Sequence, residues 1–390
     1  MLDKRGKKNL NVCIIGLLKD ANIGDPIICD SVEYLCKEVA PNNRYKVIDL
    51  RGRCNKNSLF YVLNFPLKVL NTILYRLRGK SLKPTLPYRI YFKNFLRKEL
   101  KNVDFIIFAG GGLIECEHYN CDEYLKLITE YAERRNILIA YNSVGFNGKF
   151  DKNKQGYNNL VQVLNSPKVT SVTVRENLSE MNDFYLMNTK AKLVCDSGVW
   201  SSDCYDVKKD HESDLIGVGL IRPEIFSEFD KAITTDIVIK YYVDIIKKLN
   251  EKKLKWQLFT NGSKDDYNFG IFLLKQLKLP INNNIVPIPL TGKQFLIDLS
   301  KYKIIICSRM HASICSYSLG IPSLALYWNP KQRYFYENIG YSNRCFSILS
   351  TQPEDLVNEL ENCMQEGYDL EKNQSYRMTI KESLNEILFV

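Results

Sequence analysis

Apolar runs of strand length recur along the first half of the chain, at 11–18, 45–50, 104–109, 137–144, 169–174 and 193–201. Between them lie stretches with the three-to-four-residue spacing of amphipathic helices, as at 122–135. After a polar, Asp- and Lys-rich segment at 203–214, read as a linker, the alternation restarts. Strands are predicted at 215–221, 256–260, 285–289, 303–307 and 321–328, helices at 236–252, from about Asp265 and after Thr291, and the tail adds helices from Pro353 and Leu370. Strands alternating with helices make open parallel sheets, because a parallel connection needs a crossover long enough to hold a helix. The expected class is therefore α/β: two Rossmann-like domains, residues 1–203 and 214–390, with parallel sheets facing across a cleft, and a length of 390 residues fits two cores.

The breakers fall where loops are needed. Pro26 after Asp25 reads as a helix start with Asp25 as N-cap. The preceding Asn22-Ile23-Gly24-Asp25 lacks the spacing of a dinucleotide loop, so no such cofactor is expected. Gly110, Gly111 and Gly112 end the third strand and either admit a ligand close to the backbone or serve a tight strand-to-helix crossing.

The stretch 303–340 carries the chemistry. Ile304, Ile305 and Ile306 form a buried run that stops at Ser308, so Arg309, Met310 and His311 fall where a strand hands over to a helix. The first turn of a helix leaves amide N–H groups unpartnered and carries positive potential, which suits a phosphate or carboxylate. Arg309 adds a planar fork for two anionic oxygens, and His311 a group that holds or releases a proton near neutrality. Lys331 and Arg333 follow the next strand in the same way. A cation after a strand is common and a histidine near a helix start is often only a cap. Against that, His118, His211 and His311 are the only histidines, and of these His311 alone lies two residues from an arginine at a predicted sheet edge.

Charge changes the picture in one region. Net charge is +10, and between Arg44 and Lys101 fifteen Lys or Arg face two acids, Asp49 and Glu99. Aromatics and many aliphatics are interleaved there, which favours an anionic membrane surface through 54–101 over nucleic acid; the alternative is a solvated helical hairpin with a buried aliphatic face. The apolar stretch 59–77 is interrupted by Asn64, Pro66, Lys68, Asn71 and Arg76, too often to span a bilayer. Residues 1–10 are polar and basic, so no signal peptide is expected. Twelve scattered cysteines without a CxxC pair suit a reduced, cytoplasmic protein. Cys116, His118 and Cys121 form one loose cluster with no second half, and no metal is expected.

Asn22-x-Gly24-Asp25, Gly110-Gly111-Gly112-Leu113-Ile114, Val174-Arg175-Glu176, Asp196, the strand end Val218 to Arg222, Arg309-Met310-His311-Ala312 and Gly320-Ile321-Pro322 through Lys331 stand in an order that resembles the polysaccharide pyruvyl transferase family, over roughly residues 11–345. The resemblance implies a GT-B-like fold and phosphoenolpyruvate as donor, with a pyruvate ketal formed on two hydroxyls of a sugar and phosphate released. It implies Arg309 and His311 as donor-binding residues and Arg222 as the strand-end arginine. A doubly anionic donor needs several cations and N–H groups, which adds Met310 and Lys331 to the donor side, and protonation of C3 makes His311 the expected acid. Asn22, Gly24, Asp25, Gly110, Gly111, Gly112, Glu115 and Arg175 are acceptor or cleft candidates; Asp25 or Glu115 activates the hydroxyl, and Arg175 shapes the cleft or pairs with the neighbours of Glu176. Phosphoenolpyruvate is a co-substrate and no cofactor is expected. The acceptor is a polysaccharide or a lipid-linked precursor, and the protein is expected in the cytoplasm, at the inner face of the membrane. The competing reading is a GT-B nucleotide-sugar glycosyltransferase, but Glu337 is the only acid between Ile304 and Gly340, where many retaining members would carry paired carboxylates.

Overall fold

A computed structural model describes residues 9–19, 22–53, 65–67, 69–70, 86–116, 121–147 and 150–389. They fall into two units: residues 1–19, 28–197 and 379–390 form the first, and residues 20–27 and 198–378 the second.

In the first unit six parallel strands are ordered β2–β1–β3–β4–β5–β6: β1 Asn11–Gly16, β2 Arg44–Asp49, β3 Phe105–Glu115, β4 Leu138–Asn147, β5 Val169–Val174 and β6 Lys192–Leu193. Its longer helices among the described residues are α1 Gly24–Val39, which belongs to this unit from Ile28 on, α2 Leu86–Glu99, α3 Asp122–Arg135 and α4 Gln155–Leu164. Val12 registers with both Tyr45 and Phe105, so the chain leaves β1 toward one side and returns on the other, and the order reverses between β1 and β3. The expected third strand ended at Ala109. Instead β3 runs on through the glycines, because Gly110 and Gly111 take positive φ (52° and 73°) and the register with β4 shifts between Gly111 and Ile114. A Cβ on Gly110 would stand 2.9 Å from the Ser143 carbonyl oxygen.

The second unit holds β7 Ile216–Gly219, β8 Trp256–Phe259, β9 Ile304–Cys307, β10 Ser323–Leu326 and β11 Cys345–Phe346, all parallel, in the order β11–β10–β9–β7–β8. Its longer helices are α5 Thr235–Glu251, α6 Lys264–Gln276, α7 Gly292–Ser300, α8 Met310–Ser318, α9 Pro330–Ile339, α10 Pro353–Glu366 and α11 Leu370–Leu388, the last of which extends into residues of the first unit. The uninterrupted isoleucine run is explained by burial on both faces of the sheet. Ile304 and Ile306 pack with Val218, Tyr242 and Leu324, whereas Ile305 and Cys307 pack with Phe295, Leu299 and Ala312.

Several expectations are corrected. The 193–201 strand is only Lys192–Leu193, followed by a 3-10 turn at Ser197–Trp200 and a short helix at Ser201–Tyr205. The 203–214 segment is no linker: Asp210 N–H donates to the Ser300 carbonyl (2.9 Å) and Lys303 N–H to the Leu215 carbonyl (2.8 Å), which ties it to the second unit. The strand expected at 285–289 is a single bridge between Ile285 and Leu258. Residues 20–27, expected in the first domain, belong to the second because Ile23 and Ile27 are buried with Phe295, Leu296 and Leu299. Residues 379–390, expected in the second, belong to the first, where the Thr379 hydroxyl accepts from Cys195 N–H at 3.0 Å.

Most of the basic stretch 54–85 lies outside the described residues, as does His118 of the loose cysteine cluster. Among the described residues no helix is long and apolar enough to cross a membrane.

Candidate active site

The second sheet reverses its order between β7 and β9, and in open parallel sheets the carboxyl edge at such a reversal is where ligands bind. Gly219 registers with Cys307, so these strands end level. The residues that follow, Leu220 to Arg222 and Ser308 to His311, leave the sheet side by side.

One carboxylate organises both exits. Asp266, fully buried in the first turn of α6, accepts Arg222 N–H on Oδ1 (2.9 Å) and Arg309 Nε and Nη2 on Oδ2 (2.9 and 2.7 Å). The helix start below it, capped by the Ser263 hydroxyl, favours the negative charge. Arg309 is thus held by its Nε–Nη2 edge and is 19% exposed at the side chain, with Nη1 making no hydrogen bond to a described residue. The loop between strand and helix is held as well: Ser308 Oγ pairs with the Tyr242 hydroxyl (2.7 Å), and the Ser308 carbonyl accepts Trp328 Nε1 (2.8 Å). Arg309 is the N-cap residue of α8, which places Met310 and His311 in its first turn.

His311 is buried at 8% exposure, and the early Asn-x-Gly segment packs directly on it. A Cβ on Gly24 would lie 2.1 Å from His311 Cγ and Nδ1, so no other residue fits there without moving the ring. Asn22 Oδ1 accepts Gly24 N–H at 3.2 Å, which turns Asn22 Nδ2 toward His311 Nδ1 at 3.4 Å. The Asn22 amide can donate to Nδ1 of a neutral ring. Ile23 N–H donates to the Asn261 carbonyl at 3.0 Å and fixes the segment on the end of β8. Helix α1 begins at Gly24, so Asp25, expected as the N-cap, lies inside the first turn, and the Asn22 side-chain oxygen accepts from Gly24 N–H at the helix start.

Arg222 reaches the site by its backbone. Its guanidinium lies against Glu228 (3.4 Å) and Asp265 (3.6 Å) in an open pocket of about 640 Å³ that Glu224 also lines, which departs from the expectation that it faces the ligand beside Arg309. Pairs this exposed contribute about 0–1 kcal/mol, so the side chain can exchange partners at little cost. Lys331 is the second residue of α9, after Asn329, whose side chain caps the helix through Lys331 N–H (3.1 Å). Cys307 next to the site is no thiolate nucleophile near neutrality: burial pushes its thiol up to about 12.

The remaining candidates belong to the first unit. Gly110, Gly111 and Gly112 lie within β3, and Glu115, buried at the end of that strand, registers with Asn147. Arg175 is buried and its guanidinium contacts Glu176 (3.0 Å) and Asp196, while Glu176 also accepts Phe146 N–H (3.1 Å). Its charge is balanced by Glu176 itself and by Asp196.

Two residues escaped the sequence reading. Asp266 had a signal, the Ser263-x-x-Asp266 capping pattern, but nothing local showed that its carboxylate turns toward two strand ends. Asn261, 1% exposed at the end of β8, has a side-chain amide that makes no hydrogen bond to a described residue, and neither does the Thr260 hydroxyl beside it. Buried polar groups are usually hydrogen-bonded, so these atoms are candidates for contact with a ligand or water.

The fold resembles that of sugar-nucleotide enzymes. A UDP-GlcNAc 2-epimerase from Methanocaldococcus jannaschii superposes with a TM-score of 0.58 at 13% identity, covering 98% of this chain and 100% of that one. The S. aureus MnaA–UDP structure gives 0.52 at 10% identity, covering 96% and 92%. Likeness at such identity shows the GT-B-like architecture alone. A comparison with curated proteins gives no match. The family model for polysaccharide pyruvyl transferase matches residues 22–330, a span that opens at the asparagine beside His311 and closes at the proline before Lys331. This chain belongs to the polysaccharide pyruvyl transferase family.

Proposed function

We propose that the protein transfers a pyruvyl group from phosphoenolpyruvate to two hydroxyls of a sugar, in a polysaccharide or a lipid-linked precursor, forming a cyclic ketal. The reading rests on a half-buried, carboxylate-anchored Arg309 at the β7–β9 edge and a buried His311 on the first turn of the helix that Arg309 caps. An anion would meet further donors there. Arg309 Nη1 and the α8 amides of Met310 and His311 offer donors to a carboxylate or phosphate, and Arg222 and Lys331 are the further cations of this reading.

The reaction balances without a redox partner. The enol double bond takes a proton at C3 from His311, which makes C2 electrophilic, and the first sugar hydroxyl adds there. The C2–O bond to phosphate then breaks, the second hydroxyl closes the ring at C2, and the two hydroxyl protons return to His311 and leave with phosphate. A helix start opposes a cation at His311, so the negative charge of the bound donor is what favours the protonated ring. General acid catalysis of this kind contributes typically ~10² to 10⁴ in rate.

The test is release of inorganic phosphate from phosphoenolpyruvate that depends on added glycan, with a product heavier by one pyruvate less one water. Glycan-dependent turnover of a nucleotide sugar, with phosphoenolpyruvate inert, contradicts the proposal and supports a glycosyltransferase.

A further inference from the structure

The first unit carries a cationic pocket of its own. Lys93 and Arg97 from α2 and Tyr131, Arg134 and Arg135 from α3 line a cavity of about 310 Å³, and no carboxylate is among the lining residues. Cations in the last turn of a helix complement its carbonyl end, but that need is met by one charge per helix, not by four converging on one space. Glu130 lies 3.9 Å from the exposed Arg134 and offsets little.

The pocket continues into an apolar stripe. Helix α2 buries Tyr91, Phe92, Phe95 and Leu96, and its opposite face carries residues 86, 90, 93 and 97 at helical spacing. Leu86 is 70% and Ile90 44% exposed, so this face begins aliphatic and ends cationic. Exposed aliphatic side chains beside a cluster of Lys and Arg are the pattern of a helix that lies on an anionic bilayer. Nucleic acid fits less well, because the rings of α2 point inward and leave no stacking platform.

We propose that this face docks on an anionic phospholipid bilayer, with lipid phosphates in the pocket and Leu86 and Ile90 in the interface. The inference is independent of the transfer chemistry. The full chain is mixed with phosphatidylcholine vesicles with and without phosphatidylserine, and sedimentation is measured against salt. Binding is expected only with phosphatidylserine, and weaker as salt rises. Each cation near such a surface contributes about fivefold, so the quadruple change K93Q/R97Q/R134Q/R135Q lowers binding roughly 10²- to 10³-fold. The melting temperature is expected to stay unchanged, and L86Q/I90Q weakens binding with all cations present. Any of four results overturns the proposal: a quadruple variant that sediments like the parent, a variant that loses melting temperature but not binding, tighter binding to an oligonucleotide than to vesicles, or equally tight binding of free inorganic pyrophosphate.

Discussion

Replacing Asp266 by Asn tests whether one carboxylate sets the geometry of the site. Three N–H donors converge on its two oxygens: Arg222 N at 2.9 Å, and Arg309 Nε and Nη2 at 2.9 and 2.7 Å. An asparagine of the same shape offers one acceptor. In either orientation its NH2 group faces a donor, so at least one hydrogen bond is lost and the others lose their charge assistance. Hydrogen bonds to charged groups are worth ~1.5–3 kcal/mol each. Arg309 keeps partial access to water at 19% exposure, which holds the expected destabilisation to about 2–3 kcal/mol, below the ~3–5 kcal/mol of a fully buried broken pair. Removing the carboxylate also removes repulsion toward an anionic donor, which offsets the looser arginine. KM for phosphoenolpyruvate is therefore expected to move little while kcat falls, the mark of a positioning residue. Urea unfolding and phosphate-release kinetics on one preparation read both effects. Parental stability together with parental kcat would refute the anchoring role, and a KM effect alone would show that Asp266 acts through charge, not position.

Further expectations follow from the same geometry. Changing His311 to Gln leaves the fold intact and lowers turnover by ~10² to 10⁴, and a pH profile that keeps its acidic group in that variant would assign the proton to another residue. Asn261→Leu removes a side-chain amide with no hydrogen-bond partner among the described residues; stability should rise, by the ~1–3 kcal/mol of an unmatched buried polar group, while donor binding weakens, and a fall in stability with unchanged binding would make Asn261 structural. Burial pushes the thiols of Cys13, Cys307, Cys345 and Cys363 up to about 12 from an ordinary 9.0. Folded thiols therefore hold protons that unfolded ones release: their contribution is present below pH 9.0 and is lost as pH rises toward 12. Thermal midpoints should fall across that window, less steeply in a Cys307→Ala variant.

The sequence made the second sheet readable because its signals are local. The isoleucine run at 304–306 fills β9 up to its last residue, Cys307, Thr291 caps α7 through Gln294 N–H, and the tail helices begin at Pro353 and Leu370 as expected. The strand-to-helix position of Arg309 and His311 follows from the same pattern. What escaped depends on distant partners. Nothing in Ile23 and Ile27 says which core will bury them, so the segment that meets His311 was read into the wrong domain. The glycines of β3 look like a strand end because positive φ and a register shift leave no periodic trace. Arg175 in sequence is a strand-end arginine like Arg309, and only the buried Glu176 and Asp196 around it show that its charge is already balanced.

The most direct measurement is mass spectrometry of the glycan after incubation with phosphoenolpyruvate, parent beside His311→Gln, with phosphate release followed in parallel. A product heavier by one pyruvate less one water, in step with phosphate and missing in the variant, is the predicted result. Unmodified glycan with no phosphate released, or the same product from both proteins, would contradict it.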